Sequence, residues 1–461
     1  MREQAVVTIT IYNTMTRRKE PLAPINPGSV TMFVCGPTVY DLSHVGHGKT
    51  YTQFDLVARY LRHSGYQVTY AQNITDVDDK IIRRAAEVGV EPRELAARYE
   101  REYLRDMAAL GNDSIDVHPR AHDYIEQICH QVKALIARGH AYQLEDGWYF
   151  DLSTFPNYGK LSGRTEVRPE DAVSRVDENI NKRNPGDFAL WKARKPGEPY
   201  WESDLGAGRP GWHIEDTAIT ETLFGPQYDL HGGAIDLIFP HHEAEIAQME
   251  AASGLSPLVR CWMHAGFLRV DGAKMGKSVG NFLTIRDALA RLDSRVLRFA
   301  FLSQHYRSEM ELNDATVENS AGALARIDNF VRSIDHSRQR DPDPGLLRET
   351  RQQFYEQLDD DFDTPAALAT LFEHIRRQNR MDSPPGRQTY EFLTEVDAIF
   401  QVLLAVEEPV DPAIASKVAE RQRLRSEKRY AEADAIRNEL LAQGIVLEDA
   451  PTGVRWSRKK T

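Results

Sequence analysis

This chain of 461 residues carries 57 basic and 69 acidic side chains, which gives a net charge of −12. Its length is too great for one hydrophobic core and predicts about three domains. The acidic charge excludes diffuse attraction to nucleic acid, so such a partner would need a local basic patch. Three cysteines are too few for a disulfide framework. No apolar run is long enough for a membrane span, and the N-terminus has no signal peptide, so we expect a cytoplasmic protein without a membrane partner.

Strand and helix patterns alternate from Val30 to about Val90. Such alternation predicts a parallel sheet of the dinucleotide-binding kind. A polar helical stretch follows, and then an irregular segment rich in Pro, Gly and Asp, which we interpret as an insertion that splits the sheet domain. The predicted segments are strands at 32–34 and 68–70, helices at 50–61 and around 81–88, the helical stretch 91–139 and the irregular stretch 146–211.

The strand and helix pattern returns after the insertion and then gives way to helices alone. We predict strands at 228–230 and 237–239, a helix after Pro240 and a hairpin over 259–270. Beyond Leu292 strand signals almost vanish, which predicts a helical bundle. Its helices are expected at 295–301, 315–337, 346–358 and 365–380, and a charged connection near 407–412 leads to a small terminal module.

Two short clusters predict a site for ATP. His44-Val45-Gly46-His47 lies between a predicted strand and helix, where helix N-terminal amides attract phosphate. Lys274-Met275-Gly276-Lys277-Ser278 places two ammonium groups and a hydroxyl around a glycine. Either cluster alone is typical of solvated surface, but the two together favour a reaction at the α-phosphate of ATP. His44 and His47 would bind the phosphate where charge develops. Lys274 and Lys277 would neutralise the pyrophosphate that leaves.

A second cluster supplies potential metal ligands. His241 and Glu245 are four residues apart on a predicted helix and share one face of it. Cys35 adds a thiolate from the other half of the sheet domain, and the stretch from His213 to Asp216 adds an imidazole and carboxylates. The alternative is that these residues only cap a helix and stabilise its N-terminus, because no Cys-x-x-Cys pair sharpens the metal interpretation.

Three weaker signals remain open. Thr75 precedes an acidic run and could cap the helix there. Gly233 allows close approach of a ligand to the backbone, and Asp236 could accept from ribose hydroxyls. From residue 417 to the end, eleven Lys and Arg oppose seven Asp and Glu. That run is either a solvated helix face, with Lys428 and Glu432 paired, or a surface for unpaired bases, which the aromatic Tyr430 favours.

Assembled in order, these strings resemble the cysteinyl-tRNA synthetase family of class I aminoacyl-tRNA synthetases, almost from end to end. The resemblance implies an α/β fold: a Rossmann-type parallel sheet domain with an insertion, followed by an α-helical bundle and a small mixed module. The strings that carry it, besides the two clusters for ATP, are 33–41, 73–76, 182–185, 208–215, 231–233, 239–243, 262–264 and 444–449.

The resemblance implies a two-step reaction. Cysteine attacks the α-phosphate of ATP, which is bound with Mg²⁺, to give cysteinyl-adenylate and pyrophosphate, and the 3′ end of the cysteine tRNA then takes the aminoacyl group. In this family a zinc ion binds the substrate thiolate, which separates cysteine from serine better than an ordinary pocket does. By position, the ligands fall on Cys35, Asp216, His241 and Glu245.

The remaining assignments complete the expected sites. We expect a monomer that binds ATP, L-cysteine and the cysteine tRNA. ATP would contact Gly46, Gly233, Asp236, Lys277 and Ser278; cysteine would contact Thr75, Trp212 and His231; and Arg425, Arg429, Tyr430, Asp434 and Asp449 would bind the anticodon.

The sequence departs from the family pattern at two positions. Asp216 stands where the family usually has a second cysteine ligand, and its carboxylate carries the same charge as a thiolate but is a harder donor. We therefore expect zinc to be retained, bound more weakly and more electrophilic, with Cys261 an improbable substitute ligand. Gly276 replaces the serine of the usual Lys-Met-Ser-Lys-Ser loop, which predicts a more mobile loop in an active enzyme.

Two other functions compete with tRNA charging. A paralogue that joins cysteine to an amino sugar shares the front half but lacks the terminal module, and an inactive tRNA-binding homologue would have lost its catalytic side chains. The domains that the resemblance predicts are 1–130 and 208–257 for the two halves of the catalytic domain, 131–207 for the connective insertion, 258–310 for a stem-contact region with the lysine loop, 311–406 for the bundle and 407–461 for the anticodon-binding module.

Overall fold

The structure, a computed structural model, describes residues 8–164, 181–270, 272–274, 282–404, 412–443, 445–450 and 453–458. Its strands in chain order are β1 Thr10–Asn13, β2 Arg18–Pro21, β3 Ser29–Val34, β4 Gln67–Gln72, β5 Ala141–Leu144, β6 Gly147–Phe150, β7 Ala189–Ala193, β8 Gly208–Pro210, β9 Tyr228–Ala234, β10 Val259–Ala265, β11 Leu268–Val270, β12 Ala273–Lys274, β13 Met310–Leu312, β14 Ile445–Ala450 and β15 Gly453–Arg458. Its α-helices are α1 Val45–His63, α2 Asp79–Val88, α3 Pro92–Ala109, α4 Ile125–Ala137, α5 Ile214–Phe224, α6 Glu243–Ser253, α7 Ile285–Leu289, α8 Ser294–Leu302, α9 Asp314–Ser333, α10 Pro344–Asp359, α11 Thr364–Gln378, α12 Arg387–Phe400, α13 Pro412–Ser426 and α14 Tyr430–Ala442.

A four-stranded parallel sheet in the order β10-β9-β3-β4 forms the centre of the catalytic part. The last three residues of β3 and of β4 are buried, and so are the first six residues of β9, which include the polar Asp229 and His231. Parallel strands end at the same edge of a sheet, so the residues that follow β3 and β4 meet the end of β9 there. The predicted parallel sheet is confirmed.

The described parts of the predicted irregular segment, 146–164 and 181–211, contain three short strands that we did not predict, while residues 165–180 lie outside the described residues. The strands join an antiparallel sheet in the order β5-β6-β7-β8, in which Trp148 pairs with Trp191. They were missed because they are short and because more than forty residues separate Trp148 from its partner. Local periodicity carries no signal of such a distant pairing.

Two further expectations for the catalytic half were wrong. Residues 237–239 are not a strand: Leu237 ends a 3₁₀ turn, and Ile238 and Phe239 belong to the turn Ile238–His242, which is kinked at Phe239 because the backbone is extended there (φ −137°, ψ 130°). The helix α6 begins at Glu243. Residues 259–270 are not a hairpin, because β10 joins the central sheet beside β9 while β11 pairs with β13. Beyond Leu292 the predicted helices are confirmed, and the short strand β13 is the exception to them among the described residues up to 404.

The helices that follow share an apolar core with the sheet. One continuous cluster of buried side chains runs from β3 and α1 to α12, including Val30, Phe54, Phe301 and Phe392. The terminal helices and hairpin have a separate small core of Ile414, Val418, Leu440, Ile445 and Leu447. Among the residues that the structure describes, no helix is both long and apolar enough to cross a bilayer.

Candidate active site and metal centre

A cavity of about 380 Å³ opens at the carboxyl edge of the central sheet. Residues from both halves of the catalytic part border it, including Cys35, His44, His47, Asp216 and His241. Ligand sites of doubly wound folds lie at this edge of the sheet. The cavity therefore brings the predicted phosphate-binding turn and the predicted metal ligands to one place.

The turn before α1 is built by a histidine cap. His44 is the N-cap residue, and its Nδ1 accepts hydrogen bonds from the backbone amides of Gly46 at 3.1 Å and His47 at 3.4 Å. The rings of His44 and His47 stack with centroids 3.9 Å apart. A helix N-terminus that carries two imidazoles suits an anionic phosphate chain.

His47 is neutral in this environment. Burial, followed by the charges of His44 and Lys80, holds the pKa of His47 well below its ordinary value. Its buried Nδ1 has no hydrogen-bond partner. A buried polar atom without a partner carries a free-energy cost, so this nitrogen marks His47 as a residue whose packing alone does not explain it.

The lysine cluster lies mostly outside the described residues. The backbone of Lys274 ends β12, and Lys277, Ser278 and Gly276 are not among the residues described. The segment that follows them returns to the phosphate-binding turn: Val45 N donates to Leu283 O at 3.0 Å, and Ile285 N donates to Ser43 O at 3.0 Å. The chain therefore meets the histidine turn directly after the lysine loop.

The four predicted metal ligands converge. One donor atom from each of Cys35, Asp216, His241 and Glu245 lies within 4.8 Å of the others, and all four residues are buried. His241 Nε2 is 2.9 Å from Asp216 Oδ2 and 3.1 Å from Glu245 Oε1. Cys35 Sγ is 3.6 Å from Asp216 Oδ2 and 3.8 Å from Glu245 Oε1.

Asn73 links two of the ligand-bearing segments. Its Oδ1 accepts from Gly36 N at 2.5 Å, next to Cys35, and its Nδ2 donates to Asp216 Oδ1 at 2.5 Å. Gly36 also allows a close approach of the two backbones, because a Cβ at that position would lie 1.7 Å from Asn73 O. Asn73 thus fixes Asp216 relative to the end of β3.

The electrostatics of the four ligands suit a cation. Burial, then the charges of Glu245 and Asp216, raise the pKa of the Cys35 thiol well above its ordinary value. Burial also raises the pKa of Glu245 to about 8. His241 behaves in the opposite sense: burial alone would lower its pKa, but Glu245 and Asp216 raise it to about 10. The raised pKa values favour protonation of Cys35, Glu245 and His241 in this buried cluster, and a metal cation could replace those protons.

The donor set fits a zinc ion. It offers one sulfur, one imidazole nitrogen and two carboxylates, all of them donor types that zinc binds, and Glu245 Oε2 accepts no hydrogen bond. Cys261 does not belong to the set. Its thiol lies near Glu20 and Asp361 instead, and its pKa is raised, first by burial.

The residues predicted to bind cysteine occupy different positions. Trp212 borders the cavity and stacks on His241 with centroids 4.4 Å apart. Thr75 also borders the cavity, but it does not cap α2, because that N-cap is Asp78; its hydroxyl donates to Glu215 instead. His231 is buried next to Cys35, with Nε2 3.3 Å from Sγ, and is not among the described residues that border the cavity.

The residues predicted to bind ATP differ in whether they border the cavity. Gly46 and Asp236 do, whereas Gly233 is not among the described residues that line it. Gly233 lies at the end of β9, where a Cβ would come within 2.9 Å of the His242 ring. Its absence of a side chain therefore makes room for that imidazole.

Sequence reasoning missed several residues of the site. Lys80 borders the cavity, 5.8 Å from the ring centroids of both Tyr40 and Trp212. Asn73 was noted only as part of a string, and His242 only as the neighbour of His241. Spacing gave no signal for His242, since consecutive residues of an ordinary helix face different directions.

The predicted anticodon residues lie on the terminal helices and hairpin. Arg425, Tyr430 and Asp434 are exposed, Tyr430 to 58%. Arg429 pairs with Glu427 and Glu432. Glu432 thus pairs with Arg429 in the described structure, whereas the sequence suggested Lys428. The backbone of Asp449 belongs to β14.

Two family models match this chain, one over its catalytic part and one over the helices that follow it. Residues 21–322 match the family model of the class I (C) tRNA synthetase catalytic domain, and residues 353–406 match the DALR domain. A protein of Carboxydothermus hydrogenoformans named cysteine–tRNA ligase is 44% identical over 97% of this chain and 99% of its own. A protein of Thermococcus gammatolerans with the same name is 43% identical, and the match covers 98% of this chain and 100% of the length of that protein.

Solved structures share the fold at much lower identity. Mycobacterium tuberculosis methionyl-tRNA synthetase in complex with methionyl-adenylate is 20% identical, with a TM-score of 0.59 over 81% of this chain and 88% of that one. A leucyl-tRNA synthetase of Agrobacterium radiobacter K84 in a ternary complex is 10% identical, with a TM-score of 0.59 over 83% of both chains.

Proposed function

Because the chain belongs to the cysteine–tRNA ligase family of class I synthetases, we propose an assignment of its residues to the two steps by which it joins cysteine to tRNA. In the first step a carboxylate oxygen of cysteine forms a bond to the α-phosphorus of ATP, and pyrophosphate leaves. In the second step the tRNA 3′-terminal hydroxyl forms an ester with the cysteinyl carbonyl carbon, and AMP leaves.

One observation carries the assignment. The buried donors Cys35, Asp216 and His241 border the same cavity of about 380 Å³ as His44 and His47. A cysteine whose side chain reaches the donors can therefore present its carboxylate near the histidine turn. Holding both reactants in one such geometry is a large part of the catalytic effect.

We assign zinc to Cys35, Asp216, His241 and Glu245. When bound there, zinc would supply a Lewis acid that prefers the thiolate of cysteine to the hydroxyl of serine. Asn73 orients Asp216 through its hydrogen bond to Oδ1, and Trp212 covers one face of the His241 ring. Such supporting contacts fix the directions in which the ligands point.

For the adenylation step, we assign the phosphates to the N-terminus of α1. His44 caps the helix through Nδ1, so in its neutral form the ring carries its proton on Nε2, and the neutral ring of His47 stacks on it at the border of the cavity. These groups, with Lys274, Lys277 and Mg²⁺, would stabilise charge that develops on the phosphates. Asp236 is assigned to the ribose hydroxyls, at the border of the same cavity.

For the transfer step, we assign recognition of the tRNA to the terminal module. Arg425, Tyr430 and Asp434 offer exposed groups for unpaired bases there. The relatives match 97–98% of this chain, which must include most of the terminal module, so neither a ligase for another acceptor nor an inactive homologue has support.

The test combines metal content with activity. Purified protein loaded with zinc should exchange pyrophosphate into ATP in the presence of cysteine and not of serine. The variant Glu245→Gln should lower both zinc content and cysteine-dependent exchange. Glu250→Gln is the matched control, because Glu250 lies on the same helix but bonds Lys160 and Leu258 N. Undiminished exchange by a zinc-free preparation would contradict the zinc assignment.

A further inference from the structure

A buried lysine lies close to the start of the helix that follows the histidine turn. Lys49 follows His47 by two residues in α1 and is 0% exposed. Its Nζ donates to Gly266 O at 2.6 Å and to Ser308 O at 2.9 Å. Lys49 is not among the described residues that border the cavity, so any effect on the reaction must pass through these two acceptors.

The ammonium group of Lys49 has no acid beside it. No ion pair of the described residues includes Lys49, and Glu309, whose charge acts on it, pairs with Arg269 at 2.9 Å instead. Burial lowers the pKa of Lys49 to about 8, although Glu309 raises it, so the amine is mostly protonated at neutral pH. An apolar side chain of similar size would avoid the cost of burying a charge here. Packing alone therefore does not explain this lysine.

The two acceptors lie where two segments of the chain touch. Gly266 connects β10 to β11, and Ser308 precedes β13, which pairs with β11. Gly266 N also donates to Tyr306 O at 2.8 Å. The segments approach so closely that a Cβ at Gly266 would lie 2.5 Å from Ser308 O. Lys49 therefore binds both segments at their closest approach.

The lysine loop is attached to the same small sheet. The strand β12, which ends at Lys274, pairs with β11, and Arg269 lies opposite Lys274. Beyond the loop the chain returns to the start of α1, where Val45 N donates to Leu283 O at 3.0 Å. The helix α1 thus contacts the chain on both sides of the loop, through Lys49 before it and through Val45 after it.

We propose that Lys49 is a positioning residue for adenylation, because its ammonium group fixes the sheet that carries the lysine loop against the helix that carries His44 and His47. The two groups assigned to the phosphates then keep a constant distance from each other. Small misplacements of such groups cost large factors in rate. The inference rests on the proposed function, because the contact of the lysine loop with pyrophosphate is assigned there.

The test compares two similar side chains of α1. Lys49→Met removes the charge and should lower kcat of cysteine-dependent pyrophosphate exchange by about 10–100-fold. KM for cysteine should stay within about twofold of the parent, and zinc content should not change. Such a split is not expected of a variant that merely destabilises the fold.

Gln53→Met is the matched control. Gln53 Nε2 also donates to two backbone carbonyls, Phe301 O at 2.7 Å and Gln304 O at 3.1 Å. These acceptors lie at the end of α8 and not in the sheet of the lysine loop. Gln53→Met should therefore keep kcat within about twofold of the parent even where it lowers the unfolding free energy.

A double-variant cycle tests whether Lys49 acts through the lysine loop. Lys49→Met should cost little in a Lys277→Ala background, because the loop has already lost an ammonium group there. Lys49→Gln keeps a hydrogen-bond donor without the charge and should show the same split between kcat and KM. It replaces Lys49→Met in the cycle where that variant does not fold.

Three results overturn the inference. They are a folded Lys49→Met with the kcat of the parent, an equal loss of kcat in Gln53→Met, and an undiminished effect of Lys49→Met in the Lys277→Ala background. Full exchange by Lys277→Ala would instead contradict the assignment of the lysine loop to pyrophosphate. A loss of exchange in Lys277→Ala without a loss in Lys49→Met overturns only the role of Lys49.

Discussion

At the scale of single residues, His44 uses the two sides of its ring differently. Nδ1 accepts from two backbone amides and caps α1. The opposite nitrogen is the one proposed to meet phosphate. Structural and chemical roles of this residue can therefore be separated by a substitution that preserves one and removes the other.

We predict that His44→Asn and His44→Ala differ in stability but not in activity. Asparagine is a strong N-cap residue, so His44→Asn should remain close to the parent, whereas His44→Ala should lose about 1 kcal/mol of unfolding free energy. Both should lower cysteine-dependent pyrophosphate exchange by about 10²–10³-fold. Chemical denaturation and exchange assays measure the two effects. Full exchange by a well-folded His44→Asn would contradict the phosphate assignment.

Asn73 should affect the zinc affinity of the proposed site although it is not itself a proposed ligand. We predict that Asn73→Ala weakens zinc binding by about 10–100-fold, because Asp216 loses the amide that orients it. Competition with a chromophoric chelator measures this affinity. Asn379→Ala, an exposed asparagine at the end of α11, serves as the control and should bind zinc normally. Equal affinities of the two variants would show that Asp216 needs no such support.

The sequence predicted part of this site and missed the rest for a physical reason. The convergence of Cys35 with Asp216 came from the family resemblance, since spacing alone joined only His241 and Glu245. His242 could not be predicted, because the turn Ile238–His242 is kinked at Phe239, where the backbone is extended (φ −137°, ψ 130°), and therefore does not keep the period of a helix. His241 and His242 each lie close to Cys35 and Glu245, but in two different groups of donor atoms.

At the scale of secondary-structure elements, a buried ion pair joins α1 to α8. Arg298 NH2 is 2.5 Å from Asp55 Oδ2, and both side chains are at most 2% exposed. Arg298 also donates to Phe400 O and to Asn112 Oδ1, so one guanidinium connects the catalytic part with the end of α12. Burial alone would raise the pKa of Asp55, but Arg298 and then Arg59 hold it below its ordinary value.

We predict that Asp55→Asn destabilises the protein by about 3–5 kcal/mol near neutral pH, because it leaves Arg298 buried without its counter-charge. A lowered pKa in the folded state means that the stabilisation by Asp55 is complete above the ordinary value of 3.8 and is lost as pH falls below it. Denaturation at several pH values should therefore show a constant difference from the parent between about pH 5 and pH 7 that narrows in stronger acid.

Asp113→Asn provides the control for this ion pair. Asp113 also contacts Arg59, but its side chain is 69% exposed. Exposed ion pairs contribute little, so we expect a change of no more than about 0.5–1 kcal/mol. A similar loss in both variants would mean that burial does not decide the strength of these contacts.

The elements themselves were predicted unevenly. The alternation around β3, α1 and β4 was read correctly because each has a clear period of its own. The apolar residues 237–239 were misread as a strand, since a short apolar run fits a helical turn equally well, and here the three residues are only half-buried. The pairing of β11 with β13 joins segments about forty residues apart and left no local trace.

At the scale of the whole molecule, the terminal module has its own core. Ile414, Val418 and Leu440 pack within it, while the large core ends with Leu403. We predict that a chain ending at residue 404 still folds and exchanges pyrophosphate at a rate close to that of the full chain. Aminoacylation of the cysteine tRNA should fall by at least about tenfold, the equivalent of 1.4 kcal/mol. Equal charging by both forms would contradict the tRNA-binding assignment.

The separation of the proposed metal ligands along the chain has a consequence during synthesis. Cys35 is 210 residues from Glu245, the last of the proposed ligands to be made. At about 5–20 residues per second, a ribosome needs roughly 10–40 s to cover that interval. If the assignment is right, the thiol of Cys35 has no complete site during that time. It then depends on a reducing environment until the second half of the catalytic domain has been translated.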